Sequence, residues 1–158
     1  LSEIDRAMTL GRTFEASLEE VVAASGMAPP PEVAEAAQRG APTRESLKAT
    51  FPAAAFSAID AALAAEAGDD AFREIVAHLE ARVTGIPSDP VPGDSAPAVL
   101  SRARASLLSG DIDAAIAAVE ALPGPGRAAM EPWLEGARLR SSADRALADW
   151  RAEIKLTL

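Results

Sequence analysis

Cysteine and tyrosine are absent from this chain, and histidine occurs once. No disulfide or thiolate metal site can form, and a single imidazole cannot build a zinc centre. The missing cysteine leaves the compartment open. Aromatic residues make up only 4%, so large rings cannot fill most of a core. No run of about 20 apolar residues stands out, which predicts that nothing here spans a bilayer. The chain does not open on a basic, apolar, small-residue leader. Basic residues are also short, 15 against 24 acids, for a net charge of −9. Such a balance repels nucleic acid, whose affinity rests on phosphate contacts. It also disfavours broad adhesion to anionic lipid.

What is abundant is alanine, at 38 of 158 positions. Alanine is the best helix former but brings little area to bury. The expected fold class is therefore all-α, with closely approaching helices and a limited filling of Leu, Ile, Val and Phe. Stability is expected to lean on self-association. The charge is uneven: residues 1–70 hold 5 basic and 12 acidic residues, and 71–158 hold 10 and 12. Any anion-facing surface thus belongs to the second half. The first residue is Leu1 rather than Met, which marks the chain as an expected excerpt of a longer protein.

Helix signals follow one another along the chain. Ser2 to Leu10 reads as a helix ending at Gly11, and Thr13 to Ser25 as a second ending at Gly26. A triple proline at 29–31 precedes a short helix, Glu32 to Arg39, closed by Gly40. Thr43 caps the next segment, where Leu47 and Phe51 share a face until Pro52 kinks or restarts it. From Ala53 to Ala67 the apolar stripe is Phe56, Ile59, Ala62 and Leu63, with Gly68 as the expected stop. Asp69 or Asp70 then caps a helix to about Thr84 whose Phe72, Ile75, Val76, Leu79 and Val83 form an amphipathic stripe.

The stretch 85–94, GIPSDPVPGD, reads as a loop and as the expected hinge. Asp94 or Ser95 caps a helix with Pro97 in its first turn and Val99, Leu100, Ala103, Leu107 and Leu108 on one face. Gly110 and Asp111 break it into a helical hairpin with Ile112, Ala115, Ile116, Val119 and Leu122. PGPG at 123–126 ends that hairpin. The last helix, Arg127 to about Ile154, places Trp133, Gly136, Arg140, Ala143, Leu147, Trp150 and Ile154 at heptad spacing, a seam for another helix.

Catalytic chemistry finds no footing. His78 sits on the polar side of the 70–84 helix near Glu74 and Arg82, where surface residence is the plain reading. Pairs such as Asp69/Asp70 and Asp111/Asp113 suit helix N-termini. No nucleophile elbow and no phosphate loop is present. No catalytic residue, metal ligand or cofactor is expected. The 70–84 stripe could lie in a membrane interface, yet residues 69–83 carry four acids against two arginines, which favours core packing on the residues alone. Arg138, Arg140, Arg145, Arg151 and Lys155 alternate with acids and read as a solvated, ion-paired face.

Several landmarks together resemble the mitofilin family. GRTFEASLEEV is similar to its Gly-x-Pro/Thr-Phe-x-x-x-Leu opening, and LKATFP to its Leu-x-x-x-Phe-Pro step. AVLSRARASLLSGDIDAAIAAVEALPG resembles the family's hairpin with a Gly-Asp turn. EPWLEGARLR resembles its Trp-Leu-x-x-Ala-Arg signature, at Trp133, Leu134, Ala137 and Arg138. The bacterial, alphaproteobacterial branch fits best.

The resemblance implies an N-terminal membrane anchor, a coiled coil and then this domain, on the periplasmic side of the bacterial inner membrane. It implies membrane bending and crista-junction-like organisation, with lipid-binding amphipathic helices ahead of the C-terminal domain. The expected organisation is an N-terminal helical region at 1–85, a hinge at 86–94 and the mitofilin-like helical domain at 95–158. Lipid contact falls to Phe72, Ile75, Val76, Leu79 and Val83. Self-association and docking fall to Leu107, Trp133, Leu134, Arg138, Leu147 and Trp150. The expected partners are further copies of the chain (a dimer or higher), membrane lipids and outer-membrane proteins, and not nucleic acid. A soluble tetratricopeptide-like interaction module is the alternative.

Overall fold

The computed structural model describes the backbone of residues 1–80 and 92–157 and the side chains of 1–65 and 92–156. Among them are seven helices and no strand. They run α1 (Ser2–Leu10), α2 (Glu15–Ser25), α3 (Pro31–Arg39), α4 (Arg44–Glu80), α5 (Ala96–Ser109), α6 (Ile112–Glu120) and α7 (Gly124–Thr157). The chain is all-α, as the alanine content predicts. It divides into two compact units, Leu1–Leu47 with Glu135–Leu158, and Lys48–Leu134.

The first unit builds its core from both ends of the chain. Ile4 and Met8 of α1, Phe14 and Leu18 around α2, and Val33, Ala36 and Ala37 of α3 bury themselves with Leu139, Ala143, Leu147, Trp150 and Ile154 of α7. Apolar burial at about 25 cal/mol per Å² is what holds such a cluster. The turns between its helices are tight. Gly11 ends α1 at φ +65°, and the Phe14 N–H donates to the Ala37 carbonyl at 2.9 Å. Gly40 holds φ +72°, and a Cβ there would stand 2.9 Å from the Gly11 carbonyl oxygen. Only glycine allows that backbone conformation and that approach together.

The second unit contains α4 from Lys48, the α5–α6 hairpin and the first turns of α7. Gly110, at φ +91°, closes α5, and the Asp111 carboxylate accepts from the Ala114 N–H at 2.9 Å to cap α6. Both features follow the sequence reading. Val99, Leu100, Ala103 and Leu107 of α5 are buried with Ile112, Ala115, Ile116 and Val119 of α6. Phe51 meets Trp133 edge to face, with ring centroids 5.1 Å apart and planes at 77°. A pair in that geometry adds about 0.5–1.5 kcal/mol beyond its area.

Several local expectations are corrected. Pro52 and Gly68 neither end nor restart a helix; α4 runs unbroken from Arg44 to Glu80. Proline removes one i to i−4 hydrogen bond, and glycine costs about 1 kcal/mol against alanine. Burial of Phe51 and Ala55 on either side of Pro52 offsets the first cost, and the helical backbone runs on through Gly68. The buried stripe of α4 is Leu47, Phe51, Ala55, Ala58 and Ala62, while Phe56 is 46% exposed. The reason is close approach: a Cβ on Gly126 of α7 would lie 3.2 Å from the Ala58 carbonyl oxygen and 3.6 Å from the Ala62 Cβ. A phenyl ring has no room beside Gly126, so the methyl groups of Ala58 and Ala62 take that part of the stripe, while the Phe51 ring fills it farther along. Leu108, placed with the α5 face by its spacing, is 53% exposed.

The PGPG segment also starts a helix rather than only ending one, since α7 begins at Gly124 with Pro125 in its first turn. The expectation that no stretch could cross a membrane needs amending too. Arg44–Ala65 is long and apolar enough by length and composition. Of its larger apolar groups Leu47 and Phe51 are buried within the protein, Ile59 and Leu63 are partly buried and Phe56 is exposed. The expected hinge at 86–94 lies outside the described residues except for its last three positions.

Candidate functional site

The heptad seam of α7 is the feature the sequence singles out, and the structure shows what covers it. Trp133 and Leu134 belong to the second unit, at 5% and 0% exposure. From Gly136 onward the seam belongs to the first unit. There Leu147 and Trp150 are 6% and 1% exposed, packed with residues of α1, α2 and α3. Leu107 is buried in α5, and Arg138 is half-buried. Of the residues expected to dock a partner, all but Arg138 therefore face the chain's own interior. The rods that the seam predicts are helices of the same chain.

Gly136 has a packing role that its spacing alone does not reveal. A Cβ there would meet the Pro42 Cγ at 3.1 Å and the Leu47 Cδ2 at 3.8 Å. Pro42, just before α4, and Leu47, in its first turns, press against the seam at this residue.

Arg140, which interrupts the apolar seam, is 8% exposed and tied on two sides. Its Nε donates to the Asp144 Oδ2 at 3.0 Å, and its Nη1 donates to the Met8 carbonyl at 2.7 Å. The same Asp144 oxygen accepts from the Arg44 Nη2 at 3.0 Å. A guanidinium this deep needs a counter-charge, because desolvating an unpaired ion costs several kcal/mol. Its cation also lies at the C-terminal end of α1, where the helix dipole is negative. Periodicity marks Arg140 as an exception in the seam; its partners are 132 and 4 residues away, and only the i, i+4 one is visible in the sequence.

A second arginine bridges exposed acids. Arg39 donates to Glu35 at 2.7 Å and to Glu135 at 2.8 Å. Hydrogen bonding to Glu135, then to Glu35, raises its guanidinium further above its ordinary value. The i, i+4 partner is legible in sequence, and Glu135 is not. Trp150 carries a cost in return for its burial: its indole N–H has no acceptor among the described residues. Nothing in the seam's periodicity signals that.

The side chains of Phe72, Ile75, Val76, Leu79 and Val83, the expected lipid-facing stripe, and that of His78 lie outside the described residues. The helical backbone of α4 does reach Glu80. Among the described side chains, the large apolar groups left uncovered are Leu10, Phe56, Leu108 and Leu156.

Compared with known protein families, the chain matches the model of the Mitofilin family, described as a mitochondrial inner membrane protein, over residues 8–155. No curated protein and no solved structure matches the chain.

Proposed function

Because the chain belongs to the Mitofilin family of mitochondrial inner membrane proteins, we propose that it is a non-enzymatic helical module that self-associates and helps bend or tether the membrane it serves. The family is structural and organises the inner membrane. In the proposed arrangement the module works on the periplasmic side of a bacterial inner membrane, in crista-junction-like organisation. Lipid, further copies of the chain and outer-membrane proteins are its partners.

The observation that carries this reading is the continuity of α4. One helix leads from a stripe packed by Leu47, Phe51, Ala55, Ala58 and Ala62 to a backbone that is still helical at Glu80. On a helix, positions 72, 75, 76 and 79 fall in one row. In this reading that row is the one that meets lipid. Phe56 and Leu108, half exposed, supply apolar area for a second copy, since the buried seam residues cannot do so without opening the fold.

Two measurements test the parts separately. Liposome co-sedimentation of the chain and of a Phe72→Glu/Leu79→Glu variant reads the lipid claim; equal binding by both would defeat it. Sedimentation velocity over a wide concentration range reads self-association. The native chain is expected to associate, and Phe56→Glu with Leu108→Glu to shift it toward monomer. A native chain that stays monomeric throughout would remove the self-association claim and leave the lipid claim standing.

A further inference from the structure

A cleft of about 300 Å³ opens in the first unit beside the α7 seam, walled by α1, the start of α4 and α7. Its charged lining is Asp5, Arg44, Arg140, Asp144 and Arg151, with Leu147 among its apolar walls. Three arginines face two aspartates there, which leaves one positive charge in excess on a chain of net charge −9.

The donors are not used up by the acids present. Arg140 spends its Nε on Asp144 and its Nη1 on the Met8 carbonyl, and its Nη2 has no acceptor among the described residues. Among the described residues Arg44 commits its Nη2 to Asp144 and no other donor. Arg151 commits its Nη2 to Asp5, and its Nε is buried without an acceptor among the described residues. Arg140 is itself 92% buried, from an exposure of 8%. A guanidinium held that deep, with an edge of donors to spare in a cleft it lines, is poised for a further acceptor.

We propose that this cleft receives a carboxylate of a partner polypeptide, either a chain terminus or a glutamate side chain, gripped by Arg140, Arg44 and Arg151. The charge balance selects the carboxylate. One negative charge neutralises the local excess, whereas a phosphate dianion would add repulsion against Asp5 and Asp144 at close range. Planar guanidinium edges match a planar carboxylate. The Leu147 and Met8 walls suit the short aliphatic stem that precedes one. The proposal does not depend on the membrane reading: a chain that bound neither lipid nor itself would keep this cleft.

The test follows the arginine Nε–H NMR signals of the full chain during titration with N-acetylated pentaalanine bearing a free C-terminal carboxylate. Its C-amidated counterpart, and a C-amidated version with one central glutamate, separate a terminus from a side chain. The Arg140 and Arg151 signals are expected to move with a carboxylate-bearing peptide, and binding of the fully amidated peptide to be about tenfold weaker or more. Arg44→Ala, at a site more than half exposed and so compatible with folding, is expected to weaken binding several-fold. Asp5→Asn, which raises the local positive excess, is expected to tighten it several-fold. Indifference to amidation, indifference to both substitutions, or no binding of any peptide would each overturn the proposal. So would inorganic phosphate displacing the peptide better than acetate at equal concentration.

Discussion

Removing Asp144 should damage the fold more than removing the charge of Arg140. Arg140 and Asp144 are bonded to each other, but they differ in what each leaves behind. The Arg140 side chain is 9% exposed and that of Asp144 is 26%. In Asp144→Ala the guanidinium stays buried with no carboxylate beside it, at a cost of about 3–5 kcal/mol. In Arg140→Met the aliphatic stem is still packed. Asp144 keeps Arg44 at 3.0 Å, and the Met8 carbonyl keeps the Gly11 N–H at 3.3 Å. Two hydrogen bonds are lost but no group is stranded, so the expected cost is about 2 kcal/mol. The double variant should cost little more than Arg140→Met alone, because the stranded charge is gone. For a chain of this size each kcal/mol moves Tm by about 2–4 °C. Asp144→Ala should therefore melt about 10 °C below the native chain. Urea titration followed by tryptophan fluorescence and by circular dichroism provides the free energies. If Arg140→Met proves the costlier substitution, or if the single costs simply add in the double, the account of a buried charge balanced by Asp144 is refuted.

Backbone and packing make further expectations. Gly40→Ala should cost about 3 kcal/mol, combining strain at positive φ with the 2.9 Å approach to the Gly11 oxygen, whereas Gly26→Ala, with φ +69° and open space around it, should cost about 1 kcal/mol; equal losses in chemical denaturation would contradict this. Trp150→Ala, at 1% exposure, should cost about 3–5 kcal/mol, while Phe56→Ala, 46% exposed, should stay under about 1 kcal/mol. The reverse order, read from the same unfolding curves, would mean that the buried stripe of α4 has been misassigned.

Features set within a few residues of one another are legible in the amino-acid order alone. The stops at Gly11, Gly26 and Gly110 are backbone reversals at positive φ, and the caps at Thr43 and Asp111 are hydrogen bonds to N–H groups three residues on. The amphipathic faces of α6 and of the last helix are readable too, since burial there follows the period. Breakers are less reliable. Pro52 and Gly68 look like stops locally, but a stop signal is a penalty of a few kcal/mol, and α4 runs through both, with Phe51 and Ala55 buried on either side of Pro52. Size misleads as well. Phe56 looks like a core residue by hydrophobicity, yet Ala58 and Ala62 beside Gly126 are the ones buried, because steric room between two backbones decides the matter there; Leu108 is likewise exposed.

The sequence by itself determined that the chain is helical, where most helices turn, and that a seam of apolar residues runs down the last one. These follow from backbone preferences and side-chain spacing within one element, where every partner lies a few positions away. Only the tertiary structure decided that residues 1–47 cover the 135–157 half of that seam, that Arg140 finds Met8, and that Arg39 finds Glu135. Those choices depend on which surfaces fit and which charges lose water together, and such pairings between distant segments leave no period in the chain to read.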